Sequence, residues 1–338
     1  MPRTIKHFSL DRIDGTELRV AADTDGGVLR IIEVEEEVIR AYIRHGTWAH
    51  EWVTLFILQD FAPLVGQLEL VGELPPGGQE AIEQRPVVNI YDLADLSGCR
   101  VFMNRRQMEA AGYWDDLPAV RALLAHEHAH PLAECPSTRA SRTLRLELSA
   151  GNLHAILGDR ADDILRVLNS VGKKLCLDSP REVLANDLAI RSGFGDALLH
   201  INKRNVANAA AGMTWRKQVQ RALEGEVAEN RLTEAAANLL MLVGDVQGYL
   251  DLAIETAPFY RAGKAEGGRE LESILQEEVL PKLRPGVSAA YFALRERYEA
   301  LEMEMSASAL VQWGNGVCSV VGDLLASEGA QIEHRLYD

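Results

Sequence analysis

One stretch constrains this chain more than any other: "DDLPAVRALLAHEHAHPL", residues 115–132. An aspartate ahead of Leu117, a proline in the first turn and a run of alanine, leucine and arginine predict a helix. Pro131 has no backbone N–H, so that helix is expected to stop or kink just past His130. Each helical residue advances about 100°, which sets His126 and His130 about 40° apart and one turn up. Glu127 projects beside the pair. His128 lies about 200° from His126 and is expected on the surface or behind a ligand.

His-Glu-x-x-His on a helix is a zinc-binding pattern, because two imidazoles one turn apart can bite one ion. A catalytic zinc site adds a third protein ligand and leaves a place for water. Glu127 can then take a proton from that water during attack on a carbonyl. The third-ligand candidates are Glu134, Glu147 and Glu182. Glu182 opens the helical segment "PREVLANDLAIRSGF", with Asn186 four residues on and on the same face, placed to orient a ligating imidazole. It also fits a capping box begun by Ser179. Glu147, in "TLRLELSAGN", is expected on the first helix after the active-site loop. Tyr91, Tyr113, His154 and His200 are available to stabilise an oxyanion, and nothing in the sequence chooses between them.

His126–His130 followed by Glu-x-x-Ala-Asn at 182–186 resembles the gluzincin metallopeptidases, most closely the ImmA/IrrE-type family. The upstream "VVNIYDLADLSGCRVFMN" is similar to the strand pair that precedes the active-site helix in such proteins. The resemblance spans roughly residues 86–200. It implies zinc held by His126, His130 and Glu182, Glu127 as general base, and hydrolysis of peptide bonds. An extended protein or peptide substrate would be gripped by main-chain pairing at a strand edge, expected near 99–104.

The expected fold is therefore α+β. A zincin-like catalytic domain over 1–204, a small N-terminal sheet with active-site and glutamate helices, precedes a mostly α-helical domain over 205–338. The soft boundary falls near 200–213, at "INKRNVANAAAGMT". In the first third, "ELRVAADTDGGVLRIIEV" reads as a hairpin around Asp-Gly-Gly. "EEEVIRAYIRH" and "AHEWVTLFILQDFAPLV" read as helices, "GELPPGGQE" as a turn-rich loop, and "PVVNIYDL" and "GCRVFMN" as strands. Helices are expected near 138–158, 160–176 and 180–200, then long amphipathic ones broken at "KLRPGVS" and "WGNGV".

Net charge is −15, from 35 basic and 50 acidic residues. So acidic a surface repels phosphate backbones and anionic membranes, so neither nucleic acid nor membrane is an expected partner. Four cysteines without CxxC spacing read as reduced thiols of a cytoplasmic protein, and Cys135 as buried and inert. There is no signal-peptide core, spanning segment, P-loop, G-x-G-x-x-G or G-x-S-x-G. His50-Glu51 lacks a second histidine at the right distance and reads as helix surface. Trp313, Tyr291 and Tyr298 read as helix packing. The C-terminal helices are expected to supply substrate choice, homo-oligomer or protein-partner contacts, or a cover over the cleft. The rival reading is a helical protein-interaction scaffold whose zinc is structural or vestigial. A zinc hydrolase of a non-peptide amide shares the same metal chemistry.

Overall fold

The structure, a computed structural model, describes residues 6–24, 26–59, 61, 64, 74 and 77–338. It is α+β, with a small mixed sheet in the N-terminal part and a largely helical C-terminal part. Its contacts divide into two compact units: Met1–Ala133 with Leu188–Ile201, and Glu134–Asp187 with Asn202–Asp338.

The first unit contains β1 (His7–Ile13), β2 (Thr16–Ala22), α1 (Val28–His45), β3 (Trp52–Leu58), α2 (Gly78–Gln84), β4 (Val87–Tyr91), β5 (Gly98–Asn104), α3 (Arg105–Ala110) and α4 (Leu117–Leu132). The sheet order is β1-β2-β3-β5-β4. β1 and β2 form an antiparallel hairpin. Its turn is Asp14-Gly15, both at positive φ (47° and 100°), the backbone a tight two-residue turn requires. The hairpin expected around Asp-Gly-Gly is therefore displaced: Asp25 lies outside the described residues, and Gly27 caps the start of α1 instead.

β3 runs parallel to both β2 and β5, and α1 makes the crossover that parallel pairing needs. This overturns the helix expected over "AHEWVTLFILQDFAPLV", whose residues 60, 62, 63 and 65 lie outside the described residues. Val53, Leu55 and Ile57 are fully buried on one face of the sheet, while Phe56 stacks on Phe102 across the other. A strand covered on both faces is a continuous apolar run, which periodicity alone cannot tell from a buried helix.

"PVVNIYDL" and "GCRVFMN" give the strand pair expected, β4 and β5, which run antiparallel. β5 is internal, however, between β3 and β4, so 99–104 is not a sheet edge. Register aligns Leu18, Val53, Cys99 and Tyr91 in one row, and Val20, Leu55, Val101 and Asn89 in the next. On the other face, Leu58, Phe61, Ile82, Val88, Ile90 and Phe102 form a second core. The loop expected at 72–80 lies partly outside the described residues, and from Gly78 the chain is already helical.

The second unit holds α5 (Pro136–Thr143), β6 (Arg145–Ser149), α6 (Leu153–Leu157) and α7 (Ala161–Lys173). A π-helical turn then leads to α8 (Ser179–Ala189), which continues through a kink at Gly193 (φ 102°) into α9 (Gly195–Ala228). α10 (Glu234–Tyr249), α11 (Leu252–Arg261), α12 (Ala265–Glu278), α13 (Val287–Glu299), α14 (Ala307–Ala326) and β7 (Glu333–Tyr337) follow. α8 and α9 carry residues of both units, and α9 runs unbroken through 200–213. The helical unit thus takes in 134–187 as well as the C-terminal part. α14 likewise runs unbroken through "WGNGV". Residues 145–149 form a strand paired with β7, not the helix expected there.

Tyr291 and Tyr298 are fully buried, bonded to Thr256 Oγ1 (2.9 Å) and the Leu175 carbonyl (3.0 Å), with Trp313 against Tyr298. They pack helices, as expected. Among the described residues no helix is long and apolar enough to cross a membrane.

Glu255 on α11 accepts from Asn205 Nδ2 at 3.1 Å through Oε1, while its Oε2 is buried without a partner. Burial, helped by the charge of Asp251, pushes its carboxyl up to about 8. Because the folded value lies above the unfolded one, its stabilising proton is fully present at low pH and is lost as pH rises through about 8. Glu255→Gln is therefore expected to match the wild type in thermal unfolding below about pH 4 and to exceed it above pH 8 by on the order of 1–3 kcal/mol.

Candidate metal centre

Helix α4 starts where its sequence says. Asp116 Oδ1 accepts from Ala119 N at 3.2 Å, and Asp116 Oδ2 is bonded to His200 Nε2 at 2.8 Å, so the cap is itself held in place. Tyr42 Oη donates to the Ala125 carbonyl at 2.7 Å, and the Arg121 guanidinium forks onto Glu37, tying α4 to α1. Pro131 falls in the last turn and the helix ends at Leu132, two residues past His130.

On this frame His126 and His130 converge. Their Nε2 atoms are 3.1 Å apart, with the rings edge to face at 4.6 Å between centroids. Two imidazole nitrogens each about 2.05 Å from one tetrahedral ion stand roughly 3.3 Å apart, so the pair fits a shared cation. Both residues are half-buried.

Glu127 is positioned by a residue that sequence reading missed. Asn89 of β4 donates its backbone N–H to Glu127 Oε2 at 2.9 Å, and its side-chain Nδ2 to the Glu127 carbonyl at 3.1 Å. The second bond has a covalent cause. Pro131 stands four residues after Glu127 and cannot donate to its carbonyl, so the helix leaves an acceptor for Asn89 to satisfy. An asparagine within a strand, where amides are disfavoured, together with a proline four residues past Glu127, was the available signal. Asn89→Val should keep the strand amide but strand that carbonyl. Denaturant unfolding is expected to show a loss of about 1–3 kcal/mol.

The third-ligand candidates differ in their settings. Glu134 is engaged by Thr138 Oγ1 (3.2 Å) and by the Arg142 guanidinium. Glu147 stands on β6, exposed, bonded to Tyr337 Oη at 2.5 Å. Glu182 occupies the first turn of α8 and is half-buried. Of the proposed oxyanion groups, His200 is committed to Asp116, while His154 is exposed and 3.5 Å from Asp162. Tyr91 ends β4, and Tyr113 lies between α3 and α4. All four cysteines are free and buried, Cys135 at the start of α5 among them.

Two expectations are corrected. His128 is not on the surface: it is fully buried on α4, and its Nε2 bonds Glu35 Oε1 of α1 at 2.7 Å, with Glu35 equally buried. His50 is not helix surface either. It precedes β3, is 3% exposed, and bonds the Leu96 carbonyl through Nδ1 at 2.6 Å. These two rings meet Cys99 of β5, whose Sγ is 3.9 Å from His128 Nδ1. Burial alone would raise the Cys99 thiol, but the adjacent His128 and His50 rings outweigh it and bring it down to about 7. Burial favours a neutral His128, yet the charge of Glu35 and bonds to Cys99 and Glu35 raise it to about 10. Searches of protein-family models, of curated proteins and of solved structures find no match to this chain.

Proposed function

We propose that the chain is a zinc-dependent peptidase that hydrolyses peptide bonds of a cytoplasmic protein or peptide. The observation that carries this reading is the convergence of His126 and His130 Nε2 at 3.1 Å beside a glutamate held at the margin of the sheet. His126 and His130 would hold the ion, with Glu182 as the third ligand that the resemblance to the gluzincins implies, since two imidazoles and one carboxylate suit zinc. When bound, zinc would polarise the scissile carbonyl and make water a stronger acid.

The remaining work falls to the chain. Glu127 takes the proton from the attacking water and returns it to the departing amine. Asn89 keeps that carboxylate aimed through its backbone N–H, while its side-chain amide holds the Glu127 main-chain carbonyl. β4 pairs with β5 on one side only, and Asn89 N–H turns away from β5 to reach Glu127. The same outward side of β4, rather than 99–104, would pair with an extended substrate. This brings the substrate backbone alongside the general base.

The ligand assignment is tested by metal analysis after mild chelation. Glu147→Ala is expected to hold as much zinc as wild type, and Glu182→Ala and His126→Ala one ion per chain less. Equal retention in Glu182→Ala and wild type would remove Glu182 from the site.

A further inference from the structure

We infer that His50, Cys99 and His128 form a second, buried metal site for a borderline-soft divalent cation of the zinc class, with Glu35 as its outer-shell partner. One donor atom from each of the three residues lies within 4.8 Å of the others, and all three are buried. The arrangement has the polarity of a ligand set. His50 Nδ1 faces the Leu96 carbonyl, so it carries the proton and leaves Nε2 as a lone pair. That Nε2 is buried and has no hydrogen-bond partner. His128 Nε2 faces Glu35, so its Nδ1 is the atom turned to Cys99. Each ring thus has one nitrogen fixed by an acceptor and the other left available as a metal donor, the way ligating histidines are oriented.

Dimensions and charge agree. A nitrogen about 2.05 Å and a sulfur about 2.3 Å from one tetrahedral ion are about 3.6 Å apart, against 3.9 Å between Cys99 Sγ and His128 Nδ1. A doubly charged ion balances the Cys99 thiolate and the Glu35 carboxylate, with both rings neutral. Trp48 packs against both imidazoles, at 4.9 and 5.3 Å between centroids, and supplies an apolar wall. Imidazole and thiolate donors select zinc-class ions over calcium or magnesium. All three donors are buried, and an ion on them would join the approach to β3, strand β5 and helix α4.

Cobalt(II) distinguishes this site from the His126–His130 pair, because only this one has a sulfur donor. Full-length chain is stripped by chelator, kept reduced and titrated with cobalt. A near-ultraviolet sulfur-to-cobalt charge-transfer band is expected, saturating at one ion per chain in the His126→Ala/His130→Ala double variant. It should persist in the His126→Ala/His130→Ala double variant and vanish in Cys99→Ala. Saturating cobalt should raise the melting temperature of the double variant by about 5–10 °C. A wild-type chain that binds cobalt without the band, or binds none, overturns the site whether or not Cys99→Ala folds. A band that survives in Cys99→Ala overturns it equally.

Discussion

Glu127→Gln is expected to retain zinc and fold while losing peptide hydrolysis by about 10²–10⁴-fold, the usual contribution of a positioned general base. The amide is nearly isosteric and its Oε1 can still accept from the Asn89 N–H, whose bond to Glu127 is 2.9 Å in the wild type. The carbonyl that Asn89 Nδ2 holds is main chain and unaffected. What disappears is the ability to accept a proton from water. The variant therefore separates chemistry from architecture: zinc content and thermal unfolding should match the wild type, and only turnover should fall. Equal cleavage by variant and wild type on every substrate would sink the peptidase reading and leave the helical scaffold with a vestigial site.

Glu35→Ala carries the largest expected loss of stability, about 3–5 kcal/mol. Glu35 and His128 are both completely buried and 2.7 Å apart. Removing the carboxylate leaves an imidazole whose outer nitrogen has neither partner nor water, and opens a space in α1 between Val34 and Val38, themselves buried. The paired replacement Glu35→Leu/His128→Leu should recover much of the loss, since two packed apolar side chains in place of a buried ion pair are often neutral or better. Denaturant unfolding in the presence of chelator measures both. A Glu35→Ala chain within 1 kcal/mol of wild type, as a surface substitution would be, would show that the pair carries no such coupling.

Much of α4 was legible because its signals are local. Asp116, Pro118 and Pro131 bracket the helix, and a four-residue spacing is enough to bring two imidazoles together. The strands β4 and β5 were legible for the same reason. β3 was not: alternation disappears when both faces of a strand are covered. Glu35 was legible in principle, since it stands in the buried stripe of α1 with Ile31, Ile32, Val38, Ile39 and Tyr42. A glutamate in that register demands a buried partner, but the register does not say which.

By itself the sequence determined one helix, its ends, and the face that carries His126, Glu127 and His130, because helical geometry relates residues a turn apart without help from the rest of the chain. Only the tertiary structure decided that His128 looks inward to Glu35, 93 residues away, and to Cys99, 29 residues away. It alone brought Asn89 to Glu127, 38 residues on. Those pairings depend on sheet register and on how α1 and α4 pack, which are collective outcomes of burying apolar surface. No local spacing encodes them.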